Sequence, residues 1–337
     1  MRVAVDAIGG DQGLAVVVPG AVMGARRHGV GLLLTGPESA VRAALERTDT
    51  AGVDIVVRDA PEVVGMDEHP AQAARRKRRS SIAVALEAVR DGDASAMVSA
   101  GNSGAVMAAA LMILGRAPGV ERPALVAPLP TRHGHTLVLD LGAVTDPKPH
   151  QLVQFAQMGS LYAERALGIA RPTVGLLSNG EEATKGNHLV LETYPLLATA
   201  AGIDFCGNVE GKDIPRGIVD VVVTDGFTGN VALKVAEGVA SFVSDVVRAE
   251  VTATPLRKLA AAVLRPAFRA VKGRLDYAET GGATLLGVAG MVVIAHGRSN
   301  ETAIASAIGV ARQGAVAGVA EAIGVRLAEL NAGPDAA

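Results

Sequence analysis

Short runs of apolar residues recur along the chain between longer stretches that have helical periodicity. Val3-Ala4-Val5, Val30 to Leu34, Val53 to Val57, Ala96 to Val98, Leu137 to Leu139, Val174 to Leu177, Val219 to Val223 and Met291 to Ile294 read as short buried strands. An apolar helix is expected from the glycine turn after Asp11 to about His28, another over Val106 to Leu114, and a third beginning near Val231. Strands alternating with helices predict a three-layer α/β/α fold with a largely parallel or mixed sheet covered on both faces. The chain has 337 residues. That length predicts one large α/β unit over 1–337, undivided or built as two intimate lobes. No repeat and no linker divides it.

Several of these strands end in unusual residues. Ala96 to Val98 runs into Ser99-Ala100-Gly101-Asn102-Ser103-Gly104-Ala105, and a helix runs out. Glycines permit a tight turn there and Asn102 or Ser103 can cap the helix, so backbone N–H groups and the positive helix end face one point. Phosphate fits such a seat, although the same junction is common in α/β proteins. Val3 to Val5 ends in Asp6-Ala7-Ile8-Gly9-Gly10-Asp11, and Val219 to Val223 ends in Thr224-Asp225-Gly226-Phe227-Thr228-Gly229-Asn230, which repeats the seat pattern. Ser178 to Asn187 and Ala295-His296-Gly297-Arg298-Ser299-Asn300 supply further strand ends. Ligands of open α/β sheets bind at carboxyl strand ends, so a polar slot for a small oxyanion or carbonyl substrate is expected.

Lys185 is the first candidate for a catalytic cation, the alternative being a solvated lysine after an acidic helix start. Glu181 and Glu182 read either as site groups or as helix N-terminal carboxylates. His296 ends a strand, which favours a polar role over a core imidazole. His133 and His135 flank Gly134 in a polar turn and are expected to be loop residues rather than metal ligands.

Composition narrows the classes. Hydrophobic residues make up 49%, aromatics 2% and Trp is absent, so the interior is built from Ala, Val, Leu and Ile and base stacking is not expected. A formal net charge of −2 argues against nucleic acid as a partner. Cys206 is the only cysteine, which excludes a disulfide within the chain; its apolar setting predicts a buried structural thiol in a reducing, cytoplasmic protein. No apolar run reaches the ~18 residues of a membrane span, and the opening strand does not read as a secretory leader. The usual dinucleotide, P-loop, zinc-protease and serine-hydrolase motifs are missing.

Two charged segments remain. Arg75-Arg76-Lys77-Arg78-Arg79 is a solvated face or a contact for an acidic partner or a phosphate group. From Leu256 to Leu275 apolar residues recur at helical spacing, with Lys258, Arg265, Arg269 and Lys272 on the other side and a bend or split expected at Pro266. This cationic amphipathic segment fits an anionic bilayer surface or another subunit.

The ordered blocks resemble the acyl-(acyl carrier protein):phosphate acyltransferases of phospholipid synthesis, the PlsX family. The resemblance runs from end to end and rests on Val5 to Asp11, the basic run ending in Ser80-Ser81, Val98 to Ala105, Arg122-Pro123-Ala124, Leu152 to Ala156, Gly180-Glu181-Glu182, Lys185-Gly186-Asn187, Asp225 to Asn230, Gly281-Gly282-Ala283 and His296-Gly297. It implies a fold similar to isocitrate/isopropylmalate dehydrogenases and phosphate acetyltransferases. It also implies a homodimer, no metal or nucleotide cofactor, and peripheral attachment to the cytoplasmic membrane. The implied reaction moves a long-chain acyl group from the carrier-protein thiol to inorganic phosphate.

On that basis Lys185, Asn230 and His296 are the catalytic candidates. Asp6, Gly9, Gly10, Ser99, Gly101, Asn102, Ser103, Gly104, Glu181, Asn187, Asp225, Gly226, Gly229 and Asn300 are the candidate phosphate and substrate set. Arg75, Arg76, Lys77 and Arg78 would receive the acyl carrier protein, while Leu256, Leu259, Val263 and Phe268, within segment 252–276, would meet the membrane. One departure stands out: where the family usually reads Gly-Ala-Asn-Val-Asp-Cys-Lys-Pro, this chain reads Gly142-Ala143-Val144-Thr145-Asp146-Pro147-Lys148-Pro149. Val144 brings no carboxamide. Two other readings are carried: a metal- and nicotinamide-dependent decarboxylating dehydrogenase on the same scaffold, and a lipid-surface scaffold whose site has decayed.

Overall fold

The computed structural model describes residues 1–275 and 281–332. Its strands are β1 (Arg2–Asp6), β2 (Gly31–Gly36), β3 (Ile55–Asp59), β4 (Ala96–Ser99), β5 (Ala124–Thr131), β6 (Gly134–Leu139), β7 (Thr173–Ser178), β8 (Asp204–Glu210), β9 (Val221–Val223), β10 (Ala283–Leu286) and β11 (Met291–Ile294). The helices are α1 (Leu14–His28), α2 (Glu38–Glu46), α3 (Pro70–Arg76), α4 (Ser81–Arg90), α5 (Ser103–Ile113), α6 (Pro149–Leu167), α7 (His188–Thr199), α8 (Gly226–Val251), α9 (Pro255–Val263), α10 (Arg265–Leu275), α11 (Glu301–Val316) and α12 (Val319–Ala332). All eleven strands join one sheet in the order β3-β2-β1-β4-β11-β10-β5-β6-β9-β7-β8.

The mixed sheet is layered by its two-residue period. Val3, Val5, Val98, Leu137, Leu139, Val221 and Val223 enter one core with α1, α6 and α11, while Ala4, Met97, Val138 and Val222 enter the other with α4 and α5. On the first face α1 lies close to α11, because a Cβ on Gly20 would stand 2.8 Å from the Glu301 carbonyl.

Strand direction decides where loops emerge. β3, β2, β1, β4 and β11 are mutually parallel, and so are β6, β9, β7 and β8, but antiparallel pairing at β11–β10, β10–β5 and β5–β6 inverts the second block relative to the first. The carboxyl ends of β4 and β11 therefore leave one edge of the sheet, and those of β7 and β9 leave the other. A single row of strand ends is not what this topology provides.

Three strands escape the apolar pattern. β5 contains Pro128 and Pro130, β8 carries Asp204 and Glu210, and β10 is only Ala283–Leu286. β5 and β6 form a hairpin through His133, with His135 already inside β6 opposite Pro130. β8 is an edge strand, so Cys206 is exposed rather than buried. Its thiol is nonetheless pushed up by partial burial and by Asp204 and Asp220, which disfavours the thiolate.

α8 begins at Gly226, five residues before the position expected from the apolar pattern, because Asp225 caps it. At 26 residues it is about 39 Å long, and its only buried residues are Gly226 and Gly229. Leu264 separates α9 from α10, and Pro266 sits in the first turn of α10 rather than at the break. Residue 276, the end of the expected amphipathic segment, lies outside the described residues.

Candidate active site

The β4–α5 junction folds as a capped helix start. Asn102 caps α5 by accepting from Ala105 N at 3.1 Å, and its amide nitrogen donates to the carbonyls of Gly65, Met66 and Glu68 at 3.1–3.3 Å. Gly101 N donates to Ser99 Oγ at 3.0 Å, and Ser99 Oγ donates to Asp6 Oδ2 at 2.7 Å. Asp6, Ser99, Gly101 and Asn102 are buried and bonded to one another and to neighbouring loops, which they shape. Burial pushes the Asp6 carboxyl up, opposed by bonds from Ser81, Ser99 and the Ile8 and Gly9 amides. Gly9 permits this closeness: a Cβ there would meet Asp6 Oδ2 at 2.5 Å and Gly101 N at 2.7 Å.

What remains open at α5 is its first turn. Ser103 is exposed and Gly104 half-buried, and among the described residues no protein acceptor takes their N–H groups. These two amides at a positive helix end are the donors this loop leaves open to an anion. The β11–α11 turn packs on the Ser99 and Gly10 loops: Asp11 N donates to Gly297 O at 2.8 Å, Ala295 N to Ser99 O at 2.8 Å, and a Cβ on Gly10 would stand 3.0 Å from Gly297 O.

The second seat pattern is occupied by the protein itself. Asp225 accepts from Thr228 N and Thr228 Oγ1 at 2.8 and 2.7 Å, and Gly226 N donates to Val144 O at 2.8 Å. Buried Asp140 accepts from the amides of Leu125, Gly142, Ala143 and Val144 at 2.6–3.1 Å. Gly226 and Gly229 are buried and exist for this contact, since a Cβ on Gly229 would lie 2.0 Å from Asp140 O. Asp225, Gly226 and Gly229 thus hold α8 on the 140–144 loop, with the Asp225 carboxylate at the helix start. Position 144 acts through its backbone N and O, which a valine supplies as well as an asparagine.

Several other candidates also bond within the protein. Asn187 caps α7 through Val190 N and Asn300 caps α11 through Ala303 N, at 3.0 and 2.9 Å. Asn230 donates to Leu141 O at 2.9 Å. Glu181 is exposed and lies 3.7 Å from Lys212 Nζ. With Glu210 and Asp213 it forms a carboxylate group whose ligand atoms lie within 4.8 Å of one another, but Lys212 and Arg216 already pair with these acids. Lys185 is exposed on the β7–α7 loop, and among the described residues no hydrogen bond or ion pair joins its side chain to the Gly101–Gly104 loop.

His296 is joined to a residue that the motifs did not single out. Lys234 Nζ on α8 lies 3.4 Å from His296 Nε2 and 3.1 Å from Glu237 Oε2, with His296 Nε2 4.0 Å from that same carboxylate. His296 Nδ1 accepts from Arg298 N at 3.2 Å. Burial and the Lys234 charge hold the imidazole below its usual range, so it is neutral near pH 7. Starting α8 at Gly226 would have revealed this face, because Asn230, Lys234 and Glu237 then fall at i, i+4 and i+7.

A family model described as "Fatty acid synthesis protein" matches residues 1–322. A relative from Desulfitobacterium hafniense strain Y51, named phosphate acyltransferase, is 49% identical over 333 residues, covering 98% of this chain and 99% of its own. Another of the same name, from Geobacter sulfurreducens, is 50% identical over 308 residues, covering 91% and 89%. The chain belongs to the phosphate acyltransferase family. Solved structures share the fold at low identity. A phosphotransacetylase from Streptococcus pyogenes aligns with TM-score 0.64 and 16% identity, covering 94% of each chain. A 4-hydroxythreonine-4-phosphate dehydrogenase from Burkholderia phymatum aligns at 0.51 and 16%, covering 94% and 98%. The fold is thus common to acyltransferases and a dehydrogenase, and it is the near-50% relatives that place this chain with the phosphate acyltransferases rather than with the dehydrogenase alternative.

Proposed function

We propose that this phosphate acyltransferase takes a long-chain acyl group from an acyl carrier protein thioester and delivers it to inorganic phosphate at the α5 end of the site. Near-50% identity to phosphate acyltransferases across almost the whole of both chains carries this reading. A phosphate oxygen forms a bond to the thioester carbonyl carbon, the C–S bond breaks, and the leaving sulfur takes the proton of the phosphate hydroxyl. The products are acyl-phosphate and free carrier thiol. The residues present suit direct transfer: the Ser103 and Gly104 amides meet the anion, and positioning alone is worth ~7–11 kcal/mol of barrier. No side-chain nucleophile enters this scheme. Among the strand-end candidates, His296 precedes the Gly297 turn that packs on the Gly10 and Asp11 loop, while Lys185 stands on the β7–α7 loop at the other edge of the sheet.

Three surfaces support the finer parts. Arg75, Arg76 and Arg78 are exposed and without an ion-pair partner among the described residues, as docking of an acidic carrier requires. Lys77 differs from them in being bonded to Val63 O and Glu68. Val235, Val239, Phe242 and Val246 line α8 at helical spacing and are 45–67% exposed, an apolar stripe suited to a second copy of the chain. Leu256, Leu259 and Val263 on α9 are 67–78% exposed, with Phe268 following on α10, as peripheral attachment to an anionic membrane requires. Among the described residues no single helix is long and apolar enough to cross a bilayer.

The test is to incubate the protein with acyl carrier protein thioester and phosphate without added cofactor, following acyl-phosphate and free thiol. Appearance of both in equal amounts is the expected result. No turnover would favour the decayed-scaffold reading, and nicotinamide-dependent turnover of a hydroxy acid would favour the dehydrogenase.

A further inference from the structure

We infer that Lys234, carried across the sheet by α8, is the ammonium that holds phosphate at the α5 seat; this rests on the phosphate acyltransferase reading above. The inverted strand blocks pose the problem that this residue solves. The seat lies at the edge where β4 and β11 end, and α8 starts at the opposite edge, where β9 ends. Lys234 is nine positions beyond the Asp225 cap, a climb of about 13 Å, which is about the height of a four-residue strand such as β11. The climb ends at His296, the second residue after β11.

The neighbourhood of Lys234 fits a phosphate contact better than a surface ion pair. His296 Nδ1 is taken by Arg298 N, which on this hydrogen-bond pattern puts the ring hydrogen on Nε2, toward the Glu237 carboxylate and beside the Lys234 ammonium, itself only a donor. One carboxylate thus faces both groups. Glu237 is only 19% exposed in its side chain while Lys234 is 51% exposed, so the acid stays fixed as the lysine swings toward an arriving dianion. The next residue, Gly297, binds Asp11 N and lies against Gly10, which in turn lies against Ala100. Through His296, Lys234 therefore reaches the turn whose backbone packs on the Gly10 and Ala100 loops, whereas among the described residues no hydrogen bond or ion pair joins Lys185 to them. The seat's own donors are uncharged amides, and an ammonium beside them supplies charge that a phosphate dianion recruits strongly.

The experiment compares Lys234→Met, Lys234→Arg and Lys185→Met in the intact protein, with two readouts. The first is binding of inorganic phosphate alone, by calorimetry or phosphorus NMR, which needs no acyl chemistry. The second is the split between KM for phosphate and KM for the acyl donor. Lys234→Met is expected to weaken phosphate binding and kcat/KM for phosphate by about 100-fold, the low end for loss of one oxyanion donor, leaving the acyl-donor KM in place. Lys234→Arg is expected to recover part of the loss, which separates charge from folding. The assignment is overturned if Lys234→Met binds phosphate like the parent protein, if arginine and methionine are equally damaging, or if only Lys185→Met gives the phosphate-specific loss. A parent protein that binds phosphate through Lys234 but makes no acyl-phosphate would sink the acyl-transfer reading instead.

Discussion

Ser99 Oγ donates to Asp6 Oδ2 at 2.7 Å, joining the ends of β4 and β1 across 93 positions of sequence, and accepts from Gly101 N at 3.0 Å. Ser99→Ala removes both bonds at once and leaves a buried carboxyl short of a donor. The loss expected from urea unfolding is ~1–3 kcal/mol. Because Gly101 is released, KM for phosphate is expected to rise more than KM for the acyl donor. Equal change in both would mean that Ser99 does not shape the seat.

The α8 start makes a harsher demand. Gly229→Ala places a methyl 2.0 Å from the Asp140 carbonyl, backbone against helix, with nothing flexible to move. Overpacking of this kind costs ~1–3 kcal/mol or more, and α8 is expected to lose its seat on the 140–144 loop. Gly211→Ala is the control, since its Cβ meets nothing within 4 Å, and its melting curve is expected to match the parent's within ~0.5 kcal/mol.

Both of these sites show what the chain discloses by itself. Apolar runs marked β1, β2, β4, β6, β7, β9 and β11 because those strands are buried on both faces. β5 and β8 were hidden by prolines and charges that hairpin and edge positions tolerate. The glycine- and asparagine-rich loops were legible as strand ends, but not the purpose of each group. Asn102, Asn187, Asp225 and Asn300 look alike in sequence to ligand-binding residues because capping a helix uses the same acceptors. Lys234 is legible as part of a polar face once α8 starts at Gly226, but not the edge that face reaches: the inversion at β10 and β5 is a property of pairing, and no local pattern encodes which edge a loop leaves.

The basic run gives a discriminating charge test. Arg75, Arg76 and Arg78 changed together to Glu are expected to raise KM at least tenfold for a carrier-protein thioester, with the effect shrinking as salt is raised. A small pantetheine thioester of the same acyl chain has no acidic protein surface, and its KM is expected to stay in place. Equal loss with both donors would remove the docking role.

His28 sets a pH dependence of stability. Burial, Arg27 and Arg312 push its imidazole below the usual 6.5, while the Ala305 backbone pulls the other way. A histidine lowered in the folded state takes its proton more readily when unfolded. Stability is therefore full above about pH 6.5 and is lost as pH falls through that value toward the folded pKa. The melting temperature of the parent is expected to drop between pH 7.5 and pH 5 by more than that of His28→Gln, which has no such proton to take up. Parallel curves would show that other groups govern the acid side.

The exposed apolar side chains of α9 and α10 suit either lipid or protein, and flotation separates the two. Leu256, Leu259 and Val263 stand 67–78% exposed on a helix that also carries Arg257 and Lys258, and burying each such side chain is worth roughly 1.5–3 kcal/mol. Two or three of them entering an acyl layer, aided by basic residues over anionic headgroups, suffice for reversible attachment. The parent protein is expected to float with phosphatidylglycerol vesicles and much less with neutral ones. Leu259→Glu with Phe268→Glu is expected to abolish flotation while leaving the sedimentation-derived oligomeric state unchanged, because the apolar stripe on α8 is untouched. If the double variant still floats but sediments as a smaller species, these residues belong to a subunit contact and the membrane assignment fails.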